Sequence, residues 1–428
     1  CPFVFTPNDT LVLEDIPTPY ENWMAFADVE NTDQYRSIDI DKQNMVCKVY
    51  EKDEGIDVLP YIGLAGIKDY KSFWNYMKGG VDKGSILIGE SFAFREMIKS
   101  GSKVRSKKFT WYDTGNVKNL KVARKVFEKQ NSPNILEKPN EAIWFVNGLV
   151  IKYHNDVNFI TGRVERSKVL SGYVPDIVNH KDNMYSYKLI SGQPVAKITN
   201  ESVFNSLLEY LQTFWQPVEL SDTEKEQFVS VCDQFYRTKT LERVNLYFNK
   251  TGELDTTENI NGVDIPPLSE MLDKLPWERV INGSPHRMHG DLHFENILMS
   301  QTGEFCLLDW RQNFGGLKKY GDIYYDLAKL LHGLIVSHEI VNKECYSVDQ
   351  VANIVSYDLH RKNSLVNNEK QFYDFLIDND LDVFKVELLT ALIFLNIAPL
   401  HHYPYSKMLF YLGKENLYKL LRDYNVVS

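Results

Sequence analysis

The feature that most restricts the fold of this chain is a short hairpin pattern between residues 296 and 309. An apolar run over residues 296–299 is followed by a turn over residues 300–303 and by a second apolar run that ends at Asp309. The predicted register sets residue 299 opposite residue 304, so Asn296 and Asp309 fall at the same end of the two strands. A carboxylate and an amide oxygen suit Mg²⁺, which leaves Asp291, in the preceding loop, to orient or deprotonate a hydroxyl group.

Two further segments accompany this hairpin. Residues 307–311 (LLDWR) contain Asp309, and residues 320–330 (YGDIYYDLAKL) show the apolar spacing of a helix with Asp322 near its start. Together with residues 289–296 (HGDLHFEN), these segments resemble the aminoglycoside phosphotransferase/choline kinase superfamily, whose members phosphorylate hydroxyl groups of small molecules. The resemblance implies ATP and Mg²⁺ as cofactors, a small-molecule hydroxyl substrate, and catalysis by Asp291. Protein kinase activity is disfavoured because Gly290 stands where the protein-kinase series has arginine.

The segment before residue 200 contains the outline of an ATP-binding lobe. Asn147-Gly148 lies between two apolar runs and predicts a tight hairpin turn. Lys152, near the end of the second run, is placed to face the ATP phosphates, and Glu165 on the next predicted helix is expected to pair with it. Arg163 is the rival helix residue, which would contact phosphate but not neutralise Lys152. A glycine-rich phosphate loop is absent, since residues 138–141 are Lys-Pro-Asn-Glu.

The first 130 residues do not fit this lobe pattern. Residues 2–12 predict a strand that ends at an aspartate, residues 46–52 a strand with a terminal lysine, and residues 109–116 (FTWYDTGN) a strand and turn before a helix. These segments resemble sugar-1-phosphate and choline-phosphate nucleotidyltransferases. The resemblance implies that Asp9 and Asp113 hold a catalytic Mg²⁺ and that Lys52 contacts the phosphorylated substrate. From the residues alone, Asp9 and Asp113 are equally well explained as turn or helix-cap residues.

That nucleotidyltransferase family begins with a strand and a glycine-rich loop, and neither precedes Cys1. The expectation is a chain cut within its first domain, with an inactive nucleotidyltransferase half. The predicted fold is α/β plus α+β: an incomplete Rossmann-like nucleotidyltransferase sheet, then a bilobal protein-kinase-like fold with a mainly helical C-lobe. The predicted domains are residues 1–130 (nucleotidyltransferase), 131–196 (kinase N-lobe) and 197–428 (kinase C-lobe).

Composition and charge argue against other classes of protein, such as nucleic-acid-binding and membrane proteins. A net charge of −10 argues against nonspecific nucleic-acid binding. No apolar run is expected to reach the length of a membrane span, and the five scattered cysteines indicate reduced thiols in the cytoplasm. Residues 249–267 are expected to form an irregular surface excursion.

The sequence leaves the substrate open among a sugar, a polyol and a choline-like alcohol. Trp310 could join an aromatic cage for a quaternary ammonium group, but packing is the commoner role. Arg311 either holds an anionic acceptor group or forms a local salt bridge. The leading hypothesis is an ATP-dependent phosphotransferase fused to a nucleotidyltransferase, activating a building block for surface polysaccharide. The alternative is a nucleotidyltransferase with an accessory kinase-like domain.

Overall fold

The computed structural model describes residues 1–29, 34–52, 54, 58–127 and 140–424. The chain divides into two compact units, Cys1–Asn134 and Ile135–Ser428. The predicted domain boundary at residue 130 and the predicted phosphate-loop residues 138 and 139 lie outside the described residues.

The strands of the described residues follow the chain in short pieces. In order, they are β1 (Phe3–Phe5), β2 (Thr10–Val12), β3 (Trp23–Phe26), β4 (Ser37–Ile40), β5 (Val46–Tyr50), β6 (Leu59–Ile67), β7 (Arg105–Lys108), β8 (Trp111–Asp113), β9 (Glu141–Val146), β10 (Leu149–His154), β11 (Ile177–Lys181), β12 (Met184–Lys188), β13 (Gln193–Pro194), β14 (Glu258–Ile260), β15 (Val263–Ile265), β16 (Pro285–His286), β17 (Ile297–Met299), β18 (Phe305–Leu307), β19 (Gly321–Asp322), β20 (Tyr346–Val351) and β21 (Ile354–Leu359).

Most helices of the described residues lie from residue 195 onwards. In order, they are α1 (Tyr70–Gly79), α2 (Ser85–Ile88), α3 (Glu90–Lys99), α4 (Val117–Phe127), α5 (Val157–Val169), α6 (Val195–Ile198), α7 (Glu201–Phe214), α8 (Asp222–Asp233), α9 (Lys239–Thr251), α10 (Leu268–Asp273), α11 (Trp277–Ile281), α12 (Ile323–Ile335), α13 (His338–Asn342), α14 (Asn363–Asp378), α15 (Val383–Ile397) and α16 (Tyr405–Asp423). A π-helical turn, Gln234–Thr238, joins α8 to α9.

The first unit is built on a mixed sheet with strand order β5-β4-β6-β3-β7, and β1 also pairs with β6. Only β3 and β7 run parallel; the other pairings of this sheet are antiparallel. Side chains alternate between the two faces of β3, so Trp23 and Met24 enter separate apolar clusters. A Rossmann-like sheet is built from a run of parallel strands, which the described residues of this unit do not show. The predicted Rossmann-like sheet is therefore not confirmed and stays a prediction.

The second unit opens with an antiparallel sheet of order β11-β12-β10-β9. The predicted turn at Asn147-Gly148 is confirmed: both residues have positive φ (50° and 75°), and Val146 pairs with Leu149. Helix α5 follows, with the Asp156 side chain accepting a hydrogen bond from the Asn158 N–H at its start. This arrangement directs Lys152 of β10 and one face of α5 towards the same region.

The prediction of an irregular excursion over residues 249–267 is wrong. Strands β14 and β15 form a hairpin there and join β21 and β20 in a four-stranded sheet. The turn is Asn261-Gly262, with φ of 50° and 87°. The overlooked signal is therefore the same Asn-Gly pair that was used at residues 147 and 148.

The predicted register of the 297–307 hairpin is also wrong, by one residue. Met299 pairs with Phe305, not with residue 304. The Ser300 N–H donates to the Glu304 carbonyl at 2.8 Å, and Gly303 has φ of +85°. A three-residue loop with glycine in the left-handed region replaces the expected four-residue turn.

One stretch of the second unit contradicts the expectation that no apolar run reaches membrane length. Residues Val383–Leu400, with mean hydropathy of 1.8, are long and apolar enough by length and composition alone. In this structure 72% of that stretch is buried inside the protein, where α15 supplies residues to the main apolar core of the unit.

Candidate active site

The loop that precedes β17 places Asp291 against a lysine of α12. Lys329 Nζ lies 2.9 Å from Asp291 Oδ1, and His293 Nε2 lies 3.6 Å from Oδ2. Burial by itself would raise the pKa of Asp291, but Lys329 and His293 lower it well below the usual range of an aspartate. Asp291 is therefore held ionised, as an acceptor for a hydroxyl proton.

The loop is held in place by Asp326, another residue of α12. Its carboxylate accepts hydrogen bonds at 2.7 Å from the backbone N–H groups of His289 and Gly290, and one at 3.2 Å from Trp215 Nε1. Burial raises the pKa of Asp326 to about 6, although these hydrogen bonds act in the opposite direction. Asp326 thus fixes the backbone of the two residues that precede Asp291.

Asn296 is buried and belongs to a short 3-10 turn, Phe294–Asn296. Its Nδ2 donates to the Asp291 carbonyl at 2.9 Å, and its backbone carbonyl accepts from the Leu308 N–H at 2.7 Å. The second contact brings Asn296 beside the end of β18, where Asp309 follows. The amide nitrogen is occupied by the Asp291 carbonyl, which leaves the amide oxygen as the group suited to a metal.

Asp309 stands in the left-handed region, with φ of +58°, two residues after the end of β18. Its Oδ1 contacts both the Lys152 ammonium and Arg163 Nη1, the latter at 2.9 Å. Burial would raise the pKa of Asp309, but the two cations lower it below the usual range of an aspartate. Both cations contact the same oxygen, so Oδ2 of Asp309 and the Asn296 amide oxygen make a donor set that fits Mg²⁺.

The predicted pairing of Lys152 with Glu165 is not found. Glu165 Oε2 instead contacts Lys318 Nζ at 2.5 Å, with both side chains about half exposed. Residues two apart on a helix point in nearly opposite directions, and on α5 it is Arg163 that faces Asp309. The rival residue named from sequence therefore occupies the site, and Glu165 lies on the surface.

Asp291 and Asp309 line one cavity of about 350 Å³ in the second unit. Cationic side chains dominate its polar wall, and an apolar wall comes from α15. Its other lining residues include Glu141, Phe159, Arg163, Phe235, Tyr236, Lys239, Thr240, Arg243, Arg311, Gln312, Tyr325, Lys329, Leu389, Leu392, Ile393, Asn396, Ile397 and Leu400.

A close contact explains why position 290 is occupied by glycine. Gly290 has φ of +90°, and a Cβ placed there would lie 2.6 Å from the Cβ of Arg311. The Arg311 N–H also donates to the His289 carbonyl at 2.9 Å. Arg311 is thus packed against the catalytic loop, and no ion pair joins it to a carboxylate among the described residues, which leaves the local salt bridge without support.

Trp310 does not form an exposed aromatic cage. It is 1% exposed, and its Nε1 donates to the Arg163 carbonyl at 2.9 Å. The indole therefore belongs to the core between the hairpin and α5, which is the packing role weighed at the outset.

Two residues of this site, Asp326 and Lys329, were missed by reasoning from sequence. Both are buried, as is Asp322, which caps α12. Asp326 and Lys329 lie on the same face of this helix as its N-cap, Asp322, and most other residues of the helix are apolar. Charged residues at that spacing in an apolar helix were the available signal.

The first unit brings two of its three predicted site residues together. An ideal Cβ at Gly115 would have Asp9 Oδ2 and Asp113 Oδ1 both within 3.2 Å. The Asp113 carboxylate also accepts from Tyr35 at 3.0 Å and from Asn119 Nδ2 at 2.7 Å. Lys52 is exposed after β5 and contacts neither carboxylate within the described residues.

Three solved structures are similar in part, each at low identity. The gentamicin complex of APH(2″)-IIa is 15% identical with a TM-score of 0.37, covering 71% of this chain and 95% of that one. Choline kinase from Cryptosporidium parvum Iowa II is 13% identical with a TM-score of 0.39, covering 72% and 96%. Choline kinase LicA from Streptococcus pneumoniae is 14% identical with a TM-score of 0.37, covering 70% and 98%.

Among curated proteins, none matches the chain. The nucleotidyltransferase resemblance of residues 1–130 is not confirmed and stays a prediction. A family model described as "APH: Phosphotransferase enzyme family" matches residues 231–341, the range that contains Asp291, Asn296, Asp309, Asp326 and Lys329. The match supports the resemblance of the C-terminal part of the chain to small-molecule kinases of the aminoglycoside phosphotransferase/choline kinase superfamily.

Proposed function

We propose that this chain transfers the terminal phosphoryl group of ATP to a hydroxyl group of a small molecule: a sugar, a polyol or a choline-like alcohol. One observation carries the proposal. Asp291 and Asp309 line the same cavity, the first paired with Lys329 and the second with Lys152 and Arg163. A carboxylate for the alcohol and a cation-flanked carboxylate for the phosphate end are the two parts that phosphoryl transfer requires.

Asp291 performs the acceptor half of the reaction. Its ionised carboxylate accepts a hydrogen bond from the hydroxyl group and directs the oxygen lone pair at the γ-phosphorus. As the new P–O bond forms, the bond from the γ-phosphorus to the bridging oxygen breaks, ADP leaves, and the hydroxyl proton passes to the carboxylate. Lys329 holds the carboxylate from one side, and the Asp326 hydrogen bonds hold the loop from the other. Positioning is therefore the main contribution of this loop.

Lys152 and Arg163 serve the nucleotide half. Both reach Asp309, and both carry charge that can contact phosphate oxygens. Asn296 and Asp309 would hold Mg²⁺, which when bound supplies positive charge to the phosphates.

Consumption of ATP by the purified chain, measured against sugars, polyols, choline and ethanolamine, tests the proposal. Turnover with at least one alcohol above the rate without acceptor supports it. ATP binding without turnover on any alcohol contradicts it.

A second activity is favoured by the convergence of Asp9 and Asp113 at Gly115. Two carboxylates can hold the divalent ion of nucleotidyl transfer, so the first unit would join a nucleotide to the phosphate made by the second. The product would be an activated building block for surface polysaccharide. In the alternative, nucleotidyl transfer is the main activity and the kinase-like unit is accessory.

Titration of the full chain with Mn²⁺ tests the first-unit site. Asp113→Asn is expected to remove one class of binding sites, whereas Asp15→Asn, an exposed aspartate of the same unit, retains it. Equal binding by both variants would contradict a metal role for Asp113.

A further inference from the structure

The cavity beside Asp291 holds more positive charge than its own carboxylates neutralise. Lys329 is taken by Asp291 and Arg163 by Asp309. Within the described residues, no ion pair joins a carboxylate to the other three lining cations, which are Lys239, Arg243 and Arg311. An electropositive region without a partner of its own is suited to an anion supplied by a ligand.

We propose that the phosphate acceptor carries an anionic group, a carboxylate or a phosphate, and that Lys239, Arg243 and Arg311 bind that group. This inference rests on the phosphotransferase function proposed above, and it narrows the acceptor to anionic alcohols. We call these three residues the cation cluster.

Two members of the cation cluster converge on one aromatic ring. Lys239 Nζ lies 4.3 Å from the centroid of the Phe235 ring, and Arg311 Cζ lies 4.9 Å from the same centroid. Arg311 Nε is buried without a hydrogen-bond partner. A buried guanidinium N–H is costly to leave unpaired, and an anion oxygen in the cavity would satisfy it.

The neighbouring titratable groups respond to this charge. Burial would raise the pKa of Tyr325, yet Lys239, Arg311 and Lys329 lower it below the usual value. Burial is the main reason that the pKa of Lys239 is lowered; Tyr325 opposes this shift, and Arg311, Arg243 and Lys329 lower the pKa further. The lowered pKa of Tyr325 is the effect expected of a positive potential at this end of the cavity, which supports the assignment made from the contacts.

The cation cluster lies on the helical side of Asp291. Lys239 and Arg243 belong to α9, which is joined to α15 by a hydrogen bond of 2.9 Å from Asn396 Nδ2 to Thr240 Oγ1. Asn396 Oδ1 is buried without a donor and lines the cavity, so it can accept from a second hydroxyl of the ligand. The matching ligand has an anionic end and hydroxyl groups, and a quaternary ammonium would be repelled.

The competing explanation is that the cation cluster binds the phosphates of ATP. Lys152 and Arg163 already supply cations at Asp309, the phosphate end of the cavity. The two explanations differ in which Michaelis constant depends on Lys239.

Matched acceptors and matched variants separate them. Steady-state kinetics of the full chain compares glycerol with glycerate and with glycerol phosphate, glucose with glucuronate and glucose 6-phosphate, and choline. The variants are Lys239→Met and Arg243→Met. Arg237→Met is the control, because its guanidinium belongs to the same helical region but packs over Trp277 at 5.8 Å and does not line the cavity.

The anionic member of a pair is expected to be the better acceptor. Lys239→Met and Arg243→Met should each raise its KM by about 10- to 100-fold, the loss of one charge-assisted contact, with the KM for ATP unchanged. Preference for a neutral or cationic acceptor overturns the inference, as does a rise confined to the KM for ATP. Thermal unfolding confirms that each variant is folded.

Calorimetric titration with inorganic phosphate gives an answer independent of turnover. Binding that is lost in Lys239→Met and Arg243→Met but kept in Arg237→Met supports the cation cluster, even if no alcohol is phosphorylated and the proposed function fails. Phosphate binding that is the same in all four proteins, or absent from the wild type, overturns it.

Discussion

Lys329 Nζ of α12 lies 2.9 Å from Oδ1 of Asp291, and this contact fixes the carboxylate that the proposed reaction needs. Lys329 is 8% exposed, so the ion pair is shielded from solvent on the lysine side. A cation at this position keeps Asp291 ionised and limits its rotation. The same ion pair therefore holds the Asp291 side chain in place and keeps it in the ionised form that the proposed reaction needs.

Replacing Asp291 by asparagine is expected to abolish turnover and retain ATP binding. The amide keeps the shape of the side chain but cannot accept the hydroxyl proton, and loss of a positioned base lowers rates by about 10²–10⁴-fold. ATP consumption and a calorimetric ATP titration measure the two properties. Asp222→Asn, an aspartate whose side chain is 98% exposed, is the control. Turnover near that of the wild type in Asp291→Asn would refute the assigned role.

Lys329→Met should lower kcat by about 10- to 100-fold, because Asp291 loses the group that orients it. The KM for ATP is expected to change little, since Lys329 pairs with Asp291 and not with Asp309. Steady-state kinetics at saturating ATP measures the effect. Arg at position 329 should restore part of the rate if charge at this point is what matters, and equal rates for Met and Arg would contradict that explanation.

Gly290→Ala is expected to destabilise the protein and to displace Arg311. Alanine at φ of +90° is strained, which costs about 1–3 kcal/mol, and its Cβ would lie 2.6 Å from the Cβ of Arg311. Urea unfolding measures the free-energy change. Gly316→Ala has the same positive φ with no atom within 4 Å of the added Cβ, so it shares the strain and lacks the clash. Identical losses in the two variants would show that the contact with Arg311 has no effect.

The stability contributed by Asp382 should depend on pH. Its carboxylate accepts from Arg279 Nε at 2.8 Å and Nη2 at 2.7 Å, and it caps α15 through the Lys385 N–H at 3.1 Å. Burial would raise its pKa, but Arg279 and the capping bond lower it below the usual value of an aspartate. A depressed folded-state pKa contributes stability that is complete above the unfolded-state pKa of an aspartate, about 3.9, and is lost as the pH falls through the folded-state pKa.

Asp382→Asn is therefore expected to cost about 1–2 kcal/mol at pH 7 and less at pH 3.5. Chemical unfolding at the two pH values, compared with Asp374→Asn on the neighbouring helix, measures the difference. A cost that does not change with pH would contradict the ionic explanation.

The sequence predicted which residues near one hairpin form the site, but it did not predict the directions of side chains on helices. Asp291, Asn296 and Asp309 were found because their order along one hairpin is itself the signal, and the structure brings Asp291 and Asp309 to one cavity. Glu165 was misplaced because a two-residue step on α5 reverses the direction of a side chain, and no pattern in that helix says which face turns inward. Of the cation cluster, only Arg311 was considered as a ligand-binding residue from the sequence, because Lys239 and Arg243 lie far from the catalytic segment in the sequence.

The missing side chain at position 290 has a consequence for how this loop is built. In the protein-kinase series, an arginine occupies the position between the histidine and the aspartate. Here the Arg311 side chain fills the space that a side chain at Gly290 would enter. The two arrangements exclude each other, so here the guanidinium beside the loop belongs to Arg311, which follows β18 and lines the cavity.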